Sequence, residues 1–577
     1  MRGTKAVWVK ARSSTNHLVT GASQQKDAMG ALFKVLLLTW AAGIWTPATG
    51  RGLYTENDPT ALLDENNFNT TVFRSPSAWL VEFYMDWCGH CQRFAATWNA
   101  LGRTVQDWSS VIKIGAVNCA EAINRALCQR NGVIFVPTLK FFQQDASASD
   151  NSPYYDGKEE ASLIRSAMLK FLISHPNASN IWPFLFPLQS PVDVLTEGST
   201  GGYLKAVIVE ANENDTLAME VILSMLPDRR VTVRRLVGGR DVTEFPSMYQ
   251  VLQNGRQRLL LSGKNDTGSY ISLLKQVAGE TIASTTPRPT TERVTTISSK
   301  ETRPRVYMQD LESGLHFAFT QEVPLHSSLK DGDLENLKAF IDVLAKYFPG
   351  RPQVHLYLQR LNNWLQGQSM VSVDQWLNQL SKLQSREASL PDTTKWVGCK
   401  GSADNYRGYP CSLWTLFHTL TVNAAAVNKY NSNWEPAEVL VAMNGYIQSF
   451  FSCHECAENF GLMAAGITTG ETNKAYGIMW LWEAHNKANK RLHEDITEDP
   501  AFPKIQFPSY SACPSCHMTI PATNQDKPVW NRPGVLRFLQ KMYGKENIVQ
   551  DTVPVASTSR AQTKTTNPLM YMFIFVH

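Results

Sequence analysis

The chain has 577 residues, 43% of them apolar and 18% charged, with 16 tryptophans; it is too long for one hydrophobic core and too apolar for a disordered polymer, so several folded domains are expected. The formal net charge is only +4 and no dense run of Lys and Arg interrupts the chain, which argues against a nucleic-acid or membrane-surface role driven by basic charge. The ten cysteines, Cys88, Cys91, Cys119, Cys128, Cys399, Cys411, Cys453, Cys456, Cys513 and Cys516, fall into five close-spaced pairs, three of them CxxC.

Residues 35–45 (VLLLTWAAGIW) form an apolar run of signal-peptide length, preceded by Lys34 and followed by Ala48, Thr49 and Gly50. The run is shorter than the about 20 apolar residues a membrane helix needs. Met29 stands where such a signal normally starts, so residues 1–28 read as an upstream extension and residues 1–50 as extension plus signal peptide. N-x-S/T sequons at Asn69, Asn177, Asn214 and Asn265 are candidate glycosylation sites. These features predict a secreted or luminal glycoprotein, where disulfides persist.

Residues 78–84 (AWLVEFY) have strand composition and lead into Trp87-Cys88-Gly89-His90-Cys91 and an amphipathic stretch over 94–101. Residues 111–117 read as a strand, and Val136-Pro137-Thr138 precedes another at 139–142. A strand, a CxxC at a helix start and a later X-Pro-Thr before a strand make the thioredoxin-like pattern, assigned to residues 51–177. At a helix start the free N–H groups favour a thiolate, and a protonated His90 would add positive charge beside it. A purely structural CxxC or half a zinc site is disfavoured by the Gly-His interior and the surrounding pattern. Cys119 and Cys128, in the same domain, read as a structural staple. WCGHC closely resembles the active site of protein disulfide isomerases. That resemblance implies that Cys88 is the exposed attacking thiol and Cys91 the buried resolving one. It further implies that Glu82 is the buried carboxylate relaying protons, and that Pro137 is the cis-proline that helps hold an extended substrate.

Residues 178–280 repeat the β/α texture without cysteine, with strands at 204–210 and 231–236 and Phe245-Pro246-Ser247 echoing the proline turn. They read as a second, redox-inactive thioredoxin-like domain. Residues 281–305 contain 14 Thr, Ser or Pro in 25 and read as a linker. Residues 306–395 are a helical spacer with a packing role, from the stripes Leu334, Leu337, Ile341, Leu344 and Trp376, Leu377, Leu380, Leu383. Residues 531–577 read as a C-terminal helix and disordered tail, whose apolar run at 569–576 is too short to span a bilayer.

Residues 396–530 hold six tryptophans and six cysteines. In Phe450-Phe451-Ser452-Cys453-His454-Glu455-Cys456, Ser452 and Glu455 have capping-box spacing, which predicts Cys453 in the first turn of a helix. Upstream, Arg407-Gly408-Tyr409-Pro410-Cys411-Ser412-Leu413-Trp414 leads into a helix carrying His418. Downstream, Trp482, His485, Asn486 and Asn489 repeat at helical spacing on one face. Aromatic and polar groups beside a reactive CxxC suit a planar redox cofactor, although tryptophans at helical spacing are more often core.

RGYPCSLWTLFH, FFSCHECAENF and WLWEAHNKANKRL resemble in succession the motifs of the Erv-like, FAD-binding sulfhydryl oxidases. Together with the WCGHC domain they resemble the quiescin sulfhydryl oxidase family over about residues 50–545. The implied fold is multidomain α/β plus all-α: two thioredoxin-like domains, then the helical spacer and a helical-bundle FAD-binding Erv-like domain. FAD contacts are implied at Arg407, Trp414, His418, Glu455, Asn459, Trp482, His485, Asn486, Asn489, Lys504 and Phe507, the last standing where the family commonly has Trp. Cys456 is implied as the thiol against the flavin, Cys453 as its exchanging partner, Cys399–Cys411 as a structural bridge, and Cys513–Cys516 as a structural disulfide rather than a shuttle. The implied enzyme is an FAD-dependent thiol oxidase of the secretory pathway (Golgi or ER lumen) and extracellular space, with no metal, no nucleic acid and no membrane span. It is expected to act as a monomer on reduced protein and small-molecule thiols. Electrons would pass from Cys88/Cys91 to Cys453/Cys456, then to FAD and molecular oxygen, releasing H2O2. A flavin-free disulfide isomerase would leave Cys453 and Cys456 unexplained. A zinc protein ligated by Cys453, Cys456, Cys513 and Cys516 would need pairs spaced far wider than zinc fingers use.

Overall fold

The computed structural model describes residues 52–174, 182–196, 203–238, 242, 244–279, 305–387, 389–519 and 528–550. The signal segment within 1–50, the sequon at Asn177, the linker at 281–305 except its last residue, and the tail from 551 onward lie outside the described residues.

The segment AWLVEFY forms β2 (Ala78–Tyr84), buried along its whole length. It is apolar at every position but Glu82, because both faces of its sheet are covered. β2 lies inside a four-stranded sheet of order β1-β3-β2-β4. β1 (Ala61–Leu63) and β3 (Ile112–Asn118) run parallel, and β4 (Thr138–Phe142) is antiparallel to β2. The register pairs Glu82 with Ala116 on one side and Leu139 on the other, placing a carboxylate in mid-sheet. Helix α1 (Gly89–Val105) buries Cys91, Phe94, Trp98, Leu101 and Val105, a stripe at helical spacing against the sheet. α2 (Arg125–Arg130) is tied back by the Cys119–Cys128 disulfide, and α3 (Ala161–Ser174) covers the sheet's flank.

A second four-stranded sheet has order β6-β5-β7-β8. β5 (Leu204–Glu210) and β6 (Val231–Val237) are parallel, while β7 (Ser247–Val251) and β8 (Gln257–Ser262) continue antiparallel. With α4 (Leu217–Met225) and α5 (Thr267–Val277) it repeats the thioredoxin-like layout without cysteines. Both Val136–Pro137 and Phe245–Pro246 are cis peptides, each just before an antiparallel strand. The two modules are joined by Trp108 Nε1, which donates to Ser224 Oγ at 3.0 Å, and by Arg165 with Glu220.

Beyond the linker the chain is helical. α6 (Met308–Phe317) continues into a π-helical turn, Ala318–Glu322, and is followed by α7 (Asp331–Tyr347), α8 (Pro352–Gln366) and α9 (Val373–Glu387). Leu334, Leu337, Ile341 and Leu344 are all buried, as their spacing predicts. α10 (Gly408–Val427) is apolar nearly all round and runs through the middle of the bundle. Around it lie α11 (Glu438–Phe450), α12 (His454–Ala464), α13 (Tyr476–Leu492) and α14 (Arg532–Tyr543).

The 306–395 region packs on the helices that follow it and is bonded to them. α7 lies against α11, with Tyr347 Oη donating to Glu438 at 2.6 Å and Lys346 paired with the same carboxylate. On α6, Asp310 accepts the backbone N–H groups of Val397, Gly398 and Cys399 at 2.6, 2.8 and 3.0 Å, fixing the loop that enters α10. Cys399 is bonded to Cys411 and Cys513 to Cys516. Asn69, Asn214 and Asn265 are exposed. Among the described residues no helix is long and apolar enough to cross a membrane.

Candidate functional site

The first CxxC straddles the start of α1. Cys88 is the N-cap residue in extended conformation and Cys91 lies in the first turn, where the leading N–H groups of a helix have no intrahelical partner. Both are reduced. Beneath them, Glu82 is fully buried and accepts a hydrogen bond from Tyr54 Oη at 2.5 Å. Its Oε1 has no partner among the described residues. Burial pushes the Glu82 carboxyl up to about 8, against the opposing pull of the Tyr54 hydrogen bond. Burial, then Cys88 and Glu82, push the Cys91 thiol well above its ordinary range. His90, expected to lend charge to the thiols, pairs through Nε2 with Glu159 at 2.7 Å.

One sequence expectation is overturned here. Cys88 is not exposed: it has 0% relative exposure because the second redox centre sits on it, with Cys453 Sγ 2.8 Å from Cys88 Sγ. Around that contact Val136 N–H donates to the Ser452 carbonyl at 2.8 Å, and Val136 and Cys453 form a parallel bridge. Thus residues 452–453 lie against the Pro137 loop as a short added strand. Trp87 enters an aromatic patch made by Tyr409, Phe451 and Phe317, at ring separations of 5.4, 5.2 and 6.2 Å. Arg93, two residues past the CxxC, pairs with Glu455 and lies 3.4 Å from Asp495. Gln92 Nε2 donates to the Asn405 carbonyl at 2.7 Å.

The second centre is a disulfide between Cys453 and Cys456. The expected capping box is absent. Cys453 itself is the N-cap of α12 and lacks a side-chain cap, because Ser452 Oγ turns to Glu322 at 3.0 Å. Glu455 is drawn to Arg93. The two sulfurs occupy different surroundings: Cys453 is buried at Cys88, and Cys456 is half-buried and lines a cavity of about 430 Å3.

Trp414 from α10 and His485 from α13 stack at 4.2 Å with 9° between their planes on the wall of this cavity. Behind them His418 lies 3.1 Å from His485 Nδ1 through its Nε2 and stacks on Tyr543. Burial holds both imidazoles neutral, with His485 lowered to about 3 by burial and then by Lys504. Arg407, Glu455, Asn459, Asn489, Lys504 and Phe507 also line the cavity. His418, Trp482 and Asn486 do not. Trp482 Nε1 donates to the Phe507 carbonyl at 2.6 Å, and Asn486 holds the N–H and carbonyl of the same residue at 2.7 and 2.8 Å. They clamp the strip that forms one cavity wall, to which Asn489 adds a bond to the Ile505 carbonyl. Arg407 holds a left-handed φ of 65°, a conformation costly outside glycine and concentrated at functional sites. Its guanidinium reaches the Gly398 carbonyl at 2.8 Å and lies over Phe502.

The cavity suits FAD by its own chemistry. Arg407 Nε and His418 Nδ1 are buried without partners among the described residues. Lys504 is depressed by burial, and Arg407 is close enough to depress it further. Two desolvated cations beside an aromatic stack match a ligand that joins a diphosphate to planar rings.

Sequence reasoning did not find Tyr54, Arg93 or Glu322. A signal existed for Arg93, adjacent to the motif; none existed for Tyr54 or Glu322, which are brought in by tertiary folding alone.

Three family models tile this arrangement: thioredoxin over residues 59–170, flavin adenine dinucleotide (FAD)-dependent sulfhydryl oxidase over 302–402, and Erv1 / Alr over 411–508. Fold and site therefore define a thioredoxin-type dithiol module joined to a helical, FAD-dependent disulfide module. Sulfhydryl oxidase 1 of Cavia porcellus is 35% identical over 529 residues, 88% of this chain and 85% of that protein. Sulfhydryl oxidase 2 of Homo sapiens is 34% identical over 89% of this chain and 76% of its own length. A solved structure, the sulfhydryl oxidase fragment of human QSOX1, is 39% identical over 44% of this chain and all of the fragment, with a TM-score of 0.39. The chain belongs to the sulfhydryl oxidase family. It is an FAD-dependent enzyme that oxidises thiols to disulfides.

Proposed function

We infer that the enzyme oxidises dithiols of reduced proteins, and small thiols, by relaying electron pairs from Cys88/Cys91 to Cys453/Cys456. The observation that carries this reading is the 2.8 Å approach of Cys88 Sγ to Cys453 Sγ while Cys456 faces the cavity.

A substrate dithiol first reduces the Cys88–Cys91 disulfide and leaves oxidised. In the docked arrangement the Cys88 thiolate attacks Cys453 Sγ. The Cys453–Cys456 bond breaks and Cys456 departs as a thiolate. Cys91 then gives its proton to the Glu82 carboxylate and attacks Cys88 Sγ, releasing Cys453 as a thiolate. The first pair is again a disulfide and the second a dithiol. Val136 orients the incoming Ser452–Cys453 segment, and Trp87 and Arg93 hold the two modules in register. Arg407, Lys504, Trp414 and His485 would hold FAD. When bound, FAD supplies the passage of two electrons from Cys453/Cys456 to O2, giving H2O2.

The chain is read as a secreted or luminal monomeric glycoprotein. Support comes from the apolar segment at 35–45, the exposed sequons at Asn69, Asn214 and Asn265, the four disulfides, and the meeting of both redox centres within one chain. Cys119–Cys128, Cys399–Cys411 and Cys513–Cys516 are closed disulfides outside the cluster of Cys88, Cys453 and Cys456 sulfurs and are assigned structural roles.

The test is Cys453→Ser. Oxygen consumption with a reduced protein should be lost while the flavin absorption bands persist. Normal turnover in that variant would refute the relay.

A further inference from the structure

Ser452 is held from three sides. Its carbonyl accepts the Val136 N–H, and its hydroxyl lies 3.1 Å from Met85 Sδ, both in the redox module. On the third side both oxygens of Glu322 are committed to it: the Ser452 N–H donates to Oε2 at 2.8 Å and the hydroxyl to Oε1 at 3.0 Å. Glu322 is 1% exposed and pairs with no Lys, Arg or His among the described residues. A buried carboxylate without a cation is costly and persists where something else is gained. It ends the π-helical turn, a form enriched at functional sites. The same turn meets the redox module, since Arg125 Nη1 donates to the Thr320 carbonyl at 3.0 Å.

We propose that Glu322 is a positioning residue for the exchange between the two centres: it fixes the Ser452–Cys453 peptide so that Cys453 Sγ is presented to Cys88 while the peptide carbonyl meets Val136. This rests on the relay reading above. It makes the helical region after the linker a third participant in the redox junction, acting through Ser452 and not on sulfur directly. Burial pushes the Glu322 carboxyl up to about 8, a value that the two Ser452 donors hold down; the carboxylate and the Ser452 peptide thus stabilise each other in one geometry.

The experiment uses the full-length flavin-loaded enzyme carrying Cys91→Ser and Cys456→Ser, so that Cys88 and Cys453 are the thiols left at the junction. Diamide treatment should join them, and mass spectrometry of the cross-linked peptides reads the rate. If this parent forms no Cys88–Cys453 bond, the relay reading itself fails. If it does, Glu322→Ala should slow the bond about 10- to 100-fold, the cost of a misplacement near 1 Å. Glu322→Gln, which keeps shape and one acceptor, should slow it less, and Ser452→Ala, which keeps the N–H bond, least. With Cys88 intact, Glu322→Ala should depress turnover of a reduced protein by a larger factor than it depresses turnover of dithiothreitol in a Cys88→Ser background, where any oxidation must start directly at Cys453–Cys456. If Glu322→Ala loses its flavin bands, Glu322→Gln and Ser452→Ala carry the test. Cross-linking at the parent rate, or equal losses with both substrates, would overturn the proposal.

Discussion

Tyr54 Oη donates to Glu82 Oε2 at 2.5 Å inside the redox module, joining the segment before the first strand to the only charged residue of the central one. This bond stabilises the carboxylate form, whereas burial alone favours the acid. Removing it with Tyr54→Phe therefore raises the Glu82 value further, and Glu82 can take the Cys91 proton only at higher pH. The groups facing Glu82 are Tyr54, Tyr84, Cys91 and Glu159, the last paired with His90. Rapid-mixing measurement of Cys88–Cys91 re-formation should show the pH profile displaced to the alkaline side, with the high-pH plateau largely retained. An unshifted profile counts against the Tyr54–Glu82 pair.

Glu82 also sets a stability trend. Its folded value of about 8 lies above the 4.5 of an unstrained Glu, so between them the folded protein holds a proton that the unfolded chain releases. Its contribution is present below about 4.5 and lost as pH rises through 8. Glu82→Gln should raise the melting temperature at pH 8 more than at pH 5 while slowing turnover. A larger gain at pH 5 would contradict the assignment.

Arg93 meets Glu455 and Asp495 across the junction with about a third of its side chain exposed, so salt screens the contact in part. Arg93→Glu should slow electron transfer from the redox module about 3- to 10-fold at low salt and less at high salt. Stopped-flow monitoring of flavin reduction by a reduced protein reads this directly. Adding Glu455→Arg should recover part of the loss.

Asn486 satisfies both backbone polar groups of Phe507. Asn486→Ala leaves the Phe507 N–H without its partner, at about 1–3 kcal/mol, while the carbonyl keeps Trp482 Nε1, and it loosens the strip that walls the cavity. The variant should release FAD more readily on gel filtration and unfold at lower temperature. Lys504→Ala should weaken FAD retention with a smaller effect on the apoprotein's melting.

Much of the fold was legible because its strands and helices carry strong periodic signals. Ala78–Tyr84 was read to the residue, and the apolar stripe of Asp331–Tyr347 is buried as patterned. The three CxxC motifs and the cavity's Trp414 and His485 were also within reach, since each lies in a dense motif; Lys504 came only with the family resemblance. What the sequence hid was docking. Cys88 reads as an exposed thiol until Cys453, 365 positions away, covers it. Ser452 and Glu455 read as a capping box because their spacing is right, yet Glu322 and Arg93 outcompete the local bonds from other parts of the chain. Local patterns state what residues can do with their neighbours in sequence, and here distant partners won.

The burial of Cys88 sets a constraint on turnover. The face that grips Ser452–Cys453 is the one an incoming thiol needs, so the enzyme is its own competitive inhibitor. Time spent docked empties the dithiol but bars the next client; time spent open does the reverse. Each step proceeds only from the state it needs, so flux falls toward zero as either fraction does. The junction is built from Trp87 in its aromatic patch, the part-exposed ion pairs of Arg93, the Gln92–Asn405 and Arg125–Thr320 hydrogen bonds and a short strand contact. Engineering a tighter one should shorten the exchange step and lower the rate of the whole cycle.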